Sequence, residues 1–250
     1  MICNFKIELK KLKHHKIPVL IAGILLLIFN WILLTTGTLD ASEQETGYFN
    51  LLYQIPIMNT ILLPLFLAIL ASRIWDIEHK GNTLKLLCTL QKREHIYRTK
   101  SILGILLIFL LSLGEAGIIL LIGNLLSFTQ PLPKTHMMAF IITTFIISVL
   151  IYLFQEILTF LFENQLVALS LGLIGSFAGL FFLFFARSLQ QFVIWSYYCV
   201  LQTIGMNWDI TTKITNYTEQ PLSLPHFFFI CILIVFIYPA GKWLFLKKEI

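Results

Sequence analysis

Charged residues are scarce in this 250-residue chain. They make up 12% of the sequence, whereas 58% is apolar and the mean hydropathy is +0.84. A soluble protein carries about a quarter charged residues, so this composition excludes a water-soluble globular fold and favours lipid as the solvent. The net charge of +5 comes from basic residues in loops and tails. We therefore predict a lipid bilayer, and no nucleic acid, as the surroundings of the chain.

The common catalytic and metal-binding motifs are absent as well. The sequence has no GxxxxGK phosphate loop, no HExxH array and no GxSxG elbow. The chain is therefore not expected to bind and hydrolyse ATP, or to act as a metalloenzyme or serine hydrolase. Its four cysteines have no paired spacing, which argues against a zinc site and a disulfide framework. We predict that the chain is not an enzyme and binds no metal or cofactor of its own.

Long apolar runs are what the sequence does contain. About 20 apolar residues cross the hydrocarbon core, and a backbone in lipid must satisfy its own hydrogen bonds, so each run predicts a helix. The fold class is thus an all-α membrane protein with six transmembrane helices. The predicted spans are residues 17–36, 52–72, 101–126, 137–162, 166–186 and 227–246.

Lysine and arginine are unevenly divided between the two sets of loops. If the six spans alternate in direction, 15 of the 18 basic residues lie on the face that holds both termini. Basic loops stay in the cytoplasm, so we predict that both termini are cytoplasmic in a multi-pass protein of the cell membrane.

The first 16 residues have apolar side chains at helical spacing, with lysines between them. Ile2, Phe5, Leu9 and Leu12 form one face, which predicts an amphipathic elbow helix over residues 1–16 at the inner membrane surface. The elbow could carry the motion of a partner into the first span. The alternative is an anchor that sets the topology.

The fifth span is rich in glycine. Gly172, Gly175 and Gly179 recur at intervals of three and four, which predicts a close approach to a neighbouring helix. Ordinary tolerance of glycine in membrane helices is the alternative.

The loop between the second and third spans is long, cytoplasmic and mixed in charge. Leu84, Leu87 and Leu90 have the spacing of a short helix, Gly81 marks a break before it, and Thr83 could cap it. A short helix of this kind offers a docking surface to a soluble protein. The alternative is a solvated loop.

The same loop resembles the first cytoplasmic loop of ABC-2 type transporter permeases. In that family an acidic residue, a Gly-Thr-x-Lys-x-Leu core and an arginine form a coupling helix seated on the ATP-hydrolysing subunit. Asn82 interrupts the Gly-Thr pair, and Gln91 replaces a common proline. The resemblance implies coupling to an ATPase for the matching residues. These are Glu78, Gly81, Thr83, Leu84, Lys85, Leu87 and Arg93.

The layout of the whole chain is similar to this family, with a coupling loop at residues 74–97 and an outer interfacial segment at 187–226. The resemblance implies the permease subunit of an ATP-driven exporter. Its partners would be an ABC ATPase that binds ATP and Mg²⁺, and a second copy or a homologous permease.

The start of the chain, from Phe5 to Lys13, is similar to permease subunits that protect lantibiotic and bacitracin producers or resistant bacteria. This similarity implies a bacterial protein that exports a membrane-active peptide antibiotic. Alternatives are the export of another lipid-like or peptide substrate, and an ATP-independent secondary transporter.

Carboxylates occur inside the predicted spans, where an ionised group is costly. Glu115 lies in the outer half of the third span and could contact substrate or a gate; the alternative is a carboxyl group that is protonated or bonded to a neighbouring helix. Glu156 and Glu163 are seven residues apart, so they are predicted to share a helical face at the inner end of the fourth span and to meet basic residues there.

The outer segment is rich in amphipathic aromatic rings, which suit a membrane interface. Its apolar stretch from Phe192 to Ile204 is too short to span, so we predict that it dips into the outer leaflet.

Overall fold

The computed structural model describes residues 16–36, 44–79, 83–162, 164–208 and 215–248. The predicted elbow helix lies outside these ranges. The elements follow one another in this order: α1 Ile17–Thr36, a 3₁₀ turn Gln44–Thr46, α2 Gly47–His79, α3 Thr83–Leu90, α4 Arg93–Leu125, α5 Lys134–Leu161, α6 Gln165–Phe182, α7 Arg187–Gln190, a 3₁₀ turn Ile194–Ser196, α8 Tyr197–Val200, β1 Ile204–Trp208, β2 Thr215–Glu219 and α9 Leu224–Lys247.

Six of these helices, α1, α2, α4, α5, α6 and α9, are long and apolar enough to cross a membrane. This finding confirms the predicted fold class. The first helix has the predicted bounds, whereas α2 continues beyond residue 72 to His79 and α4 begins at Arg93 rather than at residue 101. Each extension adds about 10 Å of helix at 1.5 Å per residue. The short helix α3 therefore stands beyond the predicted hydrocarbon region.

Contacts between loops divide the molecule into two sides. On one side, called the α3 side, the start of α4 contacts the end of α9, and Gln165 at the start of α6 donates to Asp76 near the end of α2. On the other, called the hairpin side, Gln130 accepts a hydrogen bond from the backbone of Tyr48, and His136 lies 3.4 Å from Glu219. Thr35 at the end of α1 donates to Gln54 in the first half of α2, also on the hairpin side. The six long helices thus alternate in direction.

Helix α2 lies at the centre, packed against α4, α5 and α6. Its contact with α6 depends on glycine: a Cβ atom at Gly172 would lie 2.6 Å from the Cβ of Ala68, and one at Gly179 would lie 2.8 Å from Cγ2 of Thr60. Real Cβ atoms do not approach so closely, so the close helix contact predicted from these glycines is confirmed.

The segment between α6 and α9 differs from the expectation. It contains a two-stranded antiparallel hairpin, in which Met206 pairs with Tyr217, that the sequence did not lead us to expect. Trp208 is exposed, as an interfacial ring should be, but Tyr197 and Tyr198 are buried. Helix α8 packs against α2 and α5, so the apolar stretch predicted to dip into the outer leaflet contributes to the core of the protein.

Candidate coupling site

Helix α3 has two apolar faces with different surroundings. Leu87 and Cys88 are partly buried against the hydrophobic core, while the side chains of Leu86 and Leu90 are 60% and 71% exposed. Residues four apart on a helix lie on one face, so Leu86 and Leu90 form an exposed apolar pair. Leu87 and Leu90 were predicted from the sequence to belong to this helix, whereas Leu86 was not, although its spacing of four from Leu90 was the available signal.

Several predicted coupling residues, or their side chains, lie outside the part of the chain that the structure describes. Gly81 lies outside the described residues. Glu78 is in the last turn of α2, and Thr83, Leu84 and Lys85 form the first turn of α3, but the description does not extend to their side chains. The coupling role of these residues stays a prediction.

Arg93 contacts the end of another span. Its Nη1 lies 3.0 Å from the backbone oxygen of Lys248 and 3.4 Å from that of Leu246. The last carbonyl groups of a helix have no partner within the helix and carry partial negative charge, so a guanidinium group stabilises this end of α9. Arg93, three residues after the end of α3, therefore connects the segment that follows α3 to the sixth span.

Two further contacts reinforce this link. Lys242 Nζ lies 2.5 Å from Glu94 Oε1, and Lys248 Nζ donates to the backbone oxygen of Phe160. An exposed ion pair contributes little free energy, but the set fixes the end of α9 against the start of α4 and the end of α5. We call the contacts of Arg93, Glu94, Lys242 and Lys248 the α9 latch.

Four buried aromatic rings pack together next to the latch. Trp75, Tyr97, Phe160 and Phe245 come from α2, α4, α5 and α9, and each is at most 1% exposed. All pairs of ring centroids are 5.1 to 6.4 Å apart, within the favourable range for aromatic contacts. This inner aromatic cluster joins the α3-side ends of four spans.

Glu156 lies next to this cluster, fully buried. Trp75 Nε1 donates to its Oε1 at 3.2 Å, and Ser101 Oγ donates to its Oε2 at 2.9 Å. The Lys100 ammonium interacts with the carboxyl group electrostatically. Lys100 lies in α4, beyond the predicted coupling loop at residues 74–97. Helix α5 ends at Leu161 and Glu163 lies outside the described residues, so the helical face shared by Glu156 and Glu163 stays a prediction.

The comparison with known families agrees with this arrangement. The family described as "ABC-2 family transporter protein" matches residues 4–179, which is more than half of the chain. The chain belongs to this family. As an ABC-2 protein it is the permease component of an ABC transporter, not a catalytic subunit. A search of curated proteins finds no match.

Glu115, the predicted path residue of this ABC-2 permease, is enclosed. Asn59 Nδ2 donates to its Oε2 at 2.8 Å, and both side chains are 0% exposed. Glu115 Oε1 and Asn59 Oδ1 have no hydrogen-bond partner among the described residues. The arrangement favours the structural alternative, a carboxyl group that bonds α4 to α2.

Metal-binding groups are not clustered in the described part of the permease. No three His, Cys, Asp or Glu side chains there are close enough together to hold an ion.

Proposed function

We propose that this permease is the membrane subunit of an ATP-driven exporter whose ATPase is a separate chain that docks on α3. The observation that carries the proposal is the exposed pair Leu86 and Leu90, on a helix that stands beyond the predicted hydrocarbon region. Apolar pairs exposed to water at a protruding site are characteristic of protein interfaces. The resemblance of this loop to a coupling helix supports the same partner.

Force applied to α3 has a direct route into the membrane. The inward face of α3, at Leu87 and Cys88, packs on the core, and only Gln91 and Lys92 separate it from α4. The α9 latch and the inner aromatic cluster then join α4 to α2, α5 and α9. Displacement of α3 would move these inner helix ends together, as expected of a rigid-body transition.

The α3 side faces the cytoplasm in this proposal, in the cell membrane of a bacterium. The excess of basic residues there supports that orientation through the positive-inside rule. ATP and Mg²⁺ bind to the partner ATPase, and a second copy or a homologous permease completes the pathway. We propose that the predicted coupling residues Glu78, Gly81, Thr83, Leu84 and Lys85 contact the same ATPase, and that the predicted elbow carries the motion of the partner into the first span.

The cargo that we propose is a membrane-active peptide antibiotic of the lantibiotic type. The similarity of residues 5–13 to self-protection subunits supports this choice. A permease for another lipid-like or peptide substrate would use the same coupling site.

Substitution of both Leu86 and Leu90 by aspartate tests the docking surface. Two charges in an apolar contact should reduce recovery of the ATPase with the permease by tenfold or more, the effect of about 1.4 kcal/mol or more. Recovery is measured by mass spectrometry after affinity purification from cells that produce both subunits.

The matched control is Asn164→Asp, which adds a charge at another turn of the α3 side. Asn164 Oδ1 caps α6 by accepting from the backbone N–H of Leu166, and aspartate can do the same. The control should keep the ATPase and protect cells against lantibiotics in an ATP-dependent manner. Full recovery of the ATPase with the double variant, Leu86→Asp with Leu90→Asp, would remove the docking role from α3.

A further inference from the structure

Two neighbouring cavities lie on the hairpin side. The larger, of about 650 Å³, is bounded by α7, α8, the loop after β2 and the start of α9. The smaller, of about 260 Å³, is bounded by α2, α8 and β1. They share Gln220, and consecutive residues, Gln190 and Gln191, line one cavity each. The larger volume is typical of a small-ligand site, which usually measures about 300–1,000 Å³.

Glutamine is the common feature of both linings. All four glutamines of the segment 187–226, namely Gln190, Gln191, Gln202 and Gln220, line one cavity or both. A carboxamide donates and accepts hydrogen bonds at once, so it pairs with another amide. Gln190 Nε2 already donates to the backbone oxygens of Leu183 and Phe185, so Gln190 offers a ligand its carboxamide oxygen. Together with the other three carboxamides, this lining is complementary to the backbone of an extended peptide.

The wall of the larger cavity is held in place by its own hydrogen bonds. His226 Nε2 lies 2.8 Å from Gln191 Oε1, and His226 Nδ1 lies 2.6 Å from Ser223 Oγ. Because these contacts orient the Gln191 carboxamide before a ligand arrives, binding need not order that side chain.

The smaller cavity has an acceptor that lacks a donor. Gln202 Oε1 is buried and has no hydrogen-bond partner among the described residues. A buried acceptor without a donor destabilises a protein. This oxygen is closed to solvent in the present conformation, so a ligand reaches it only after the Gln202 side chain rotates toward the cavity. A ligand N–H group would then supply the donor.

Neither cavity favours a charged ligand. The described residues that line them include no Asp, Glu, Lys or Arg. Burial raises the pKa of the Cys199 thiol to about 12, so that group stays neutral as well. Apolar side chains such as Val200, Leu222 and Met206 complete the walls.

We propose that the two cavities form an outward-facing binding site for an uncharged, extended peptide segment, whose backbone amides pair with the glutamine carboxamides. The inference rests on the proposed function, because the segment would belong to the exported peptide. Binding itself requires neither ATP nor the ATPase.

The test uses the full-length permease in nanodiscs without an ATPase. The probe is a pool of short capped peptides of Leu, Val, Ser and Gly, and a second pool carries Lys in place of some Ser. Retained peptides are quantified by mass spectrometry. The wild-type permease should retain the uncharged pool, and Gln202→Leu should lower retention about tenfold, the effect of one lost hydrogen bond to a buried group.

Two controls separate binding from folding. Gln202→Leu removes an unpartnered buried oxygen, so its thermal unfolding midpoint should be unchanged or higher. Asn216→Leu removes an exposed carboxamide on β2 that lines neither cavity, and it should leave retention unchanged.

The outcomes distinguish this site from the proposed function. Failure of the wild type to retain the uncharged pool, equal retention of the lysine pool, or full retention by Gln202→Leu overturns the site. Binding without ATP-driven export would leave the site in place and contradict the proposed function alone.

Discussion

Glu115 and Asn59 join α4 to α2 through one hydrogen bond, and the other carboxyl oxygen of Glu115 and the carboxamide oxygen of Asn59 have no partner in the described residues. Two acceptor oxygens buried together would both remain unsatisfied if the carboxyl group were ionised. A protonated carboxyl group could instead donate from Oε1 to Asn59 Oδ1, so that the acid and the amide satisfy each other. We therefore expect Glu115 to serve as a neutral hydrogen-bonding group.

This expectation predicts that Glu115→Gln is tolerated. Glutamine keeps the size, the neutrality and the hydrogen-bonding capacity, so stability and export should be close to wild type. Glu115→Leu leaves Asn59 without its partner and should lower the free energy of unfolding by about 1–3 kcal/mol. Unfolding in detergent and survival on lantibiotics measure the two effects. A folded Glu115→Gln protein that no longer exports would show that a negative charge at this position contacts the cargo.

The position of Glu115 could be predicted from the sequence, but its hydrogen-bond partner could not. The position of Glu115 in the outer half of its span, and the alternative of a bond to a neighbouring helix, followed from the sequence. Its partner Asn59 did not, because the two residues are 56 positions apart and no local spacing encodes their contact. The inner aromatic cluster was missed for the same reason.

The contact between α6 and α2 shows how glycine permits the close packing of two helices. Glycine at position 172 allows the backbone of α6 to approach Pro64 and Ala68 of α2. Two helices in lipid gain little from burying apolar surface against each other, so close packing of this kind holds them together.

Gly172→Ala should therefore destabilise the permease. The added Cβ would lie 2.6 Å from the Cβ of Ala68 and 3.3 Å from the backbone oxygen of Pro64, and neither atom can rotate away. Overpacking of this kind costs about 1–3 kcal/mol, measured as a lower unfolding midpoint in detergent. Gly117→Ala is the matched control, since a Cβ there has nothing within 4 Å and alanine favours helix. Equal midpoints for the two variants would contradict the close contact.

The sequence predicts the bounds of some elements, does not predict the ends of others, and gives no sign of the two strands. The bounds of α1 follow from its hydropathy, because polar residues end the apolar run on both sides. The ends of α2 and α4 do not, because these helices continue out of the apolar region into charged sequence. The strands β1 and β2 were missed, since IGMNW and TNYTE lack the clear alternation of apolar and polar residues that marks a strand.

For the whole molecule, composition and the long apolar runs predicted six spans, whereas the arrangement of the spans came only from the structure. Helix α2 is the most buried of the six, and α1 and α9 are the least buried. All six are strongly apolar, so hydropathy alone does not separate faces that contact lipid from faces that contact protein. The location of the candidate site in the loop after α2 was nevertheless predictable, because motif and charge both occur in a short continuous stretch.

The orientation of the permease decides whether α3 can meet an ATPase at all. Thr89 on α3 and Asn216 on β2 are both exposed and lie on opposite sides, so Thr89→Cys and Asn216→Cys in a background without the four native cysteines form a matched pair. The excess of basic residues on the α3 side predicts that a membrane-impermeant maleimide labels position 216, but not position 89, in intact cells. Permeabilised cells should show both labels, which controls for reactivity. Labelling of position 89 in intact cells would place α3 outside and leave the ATPase without its docking surface.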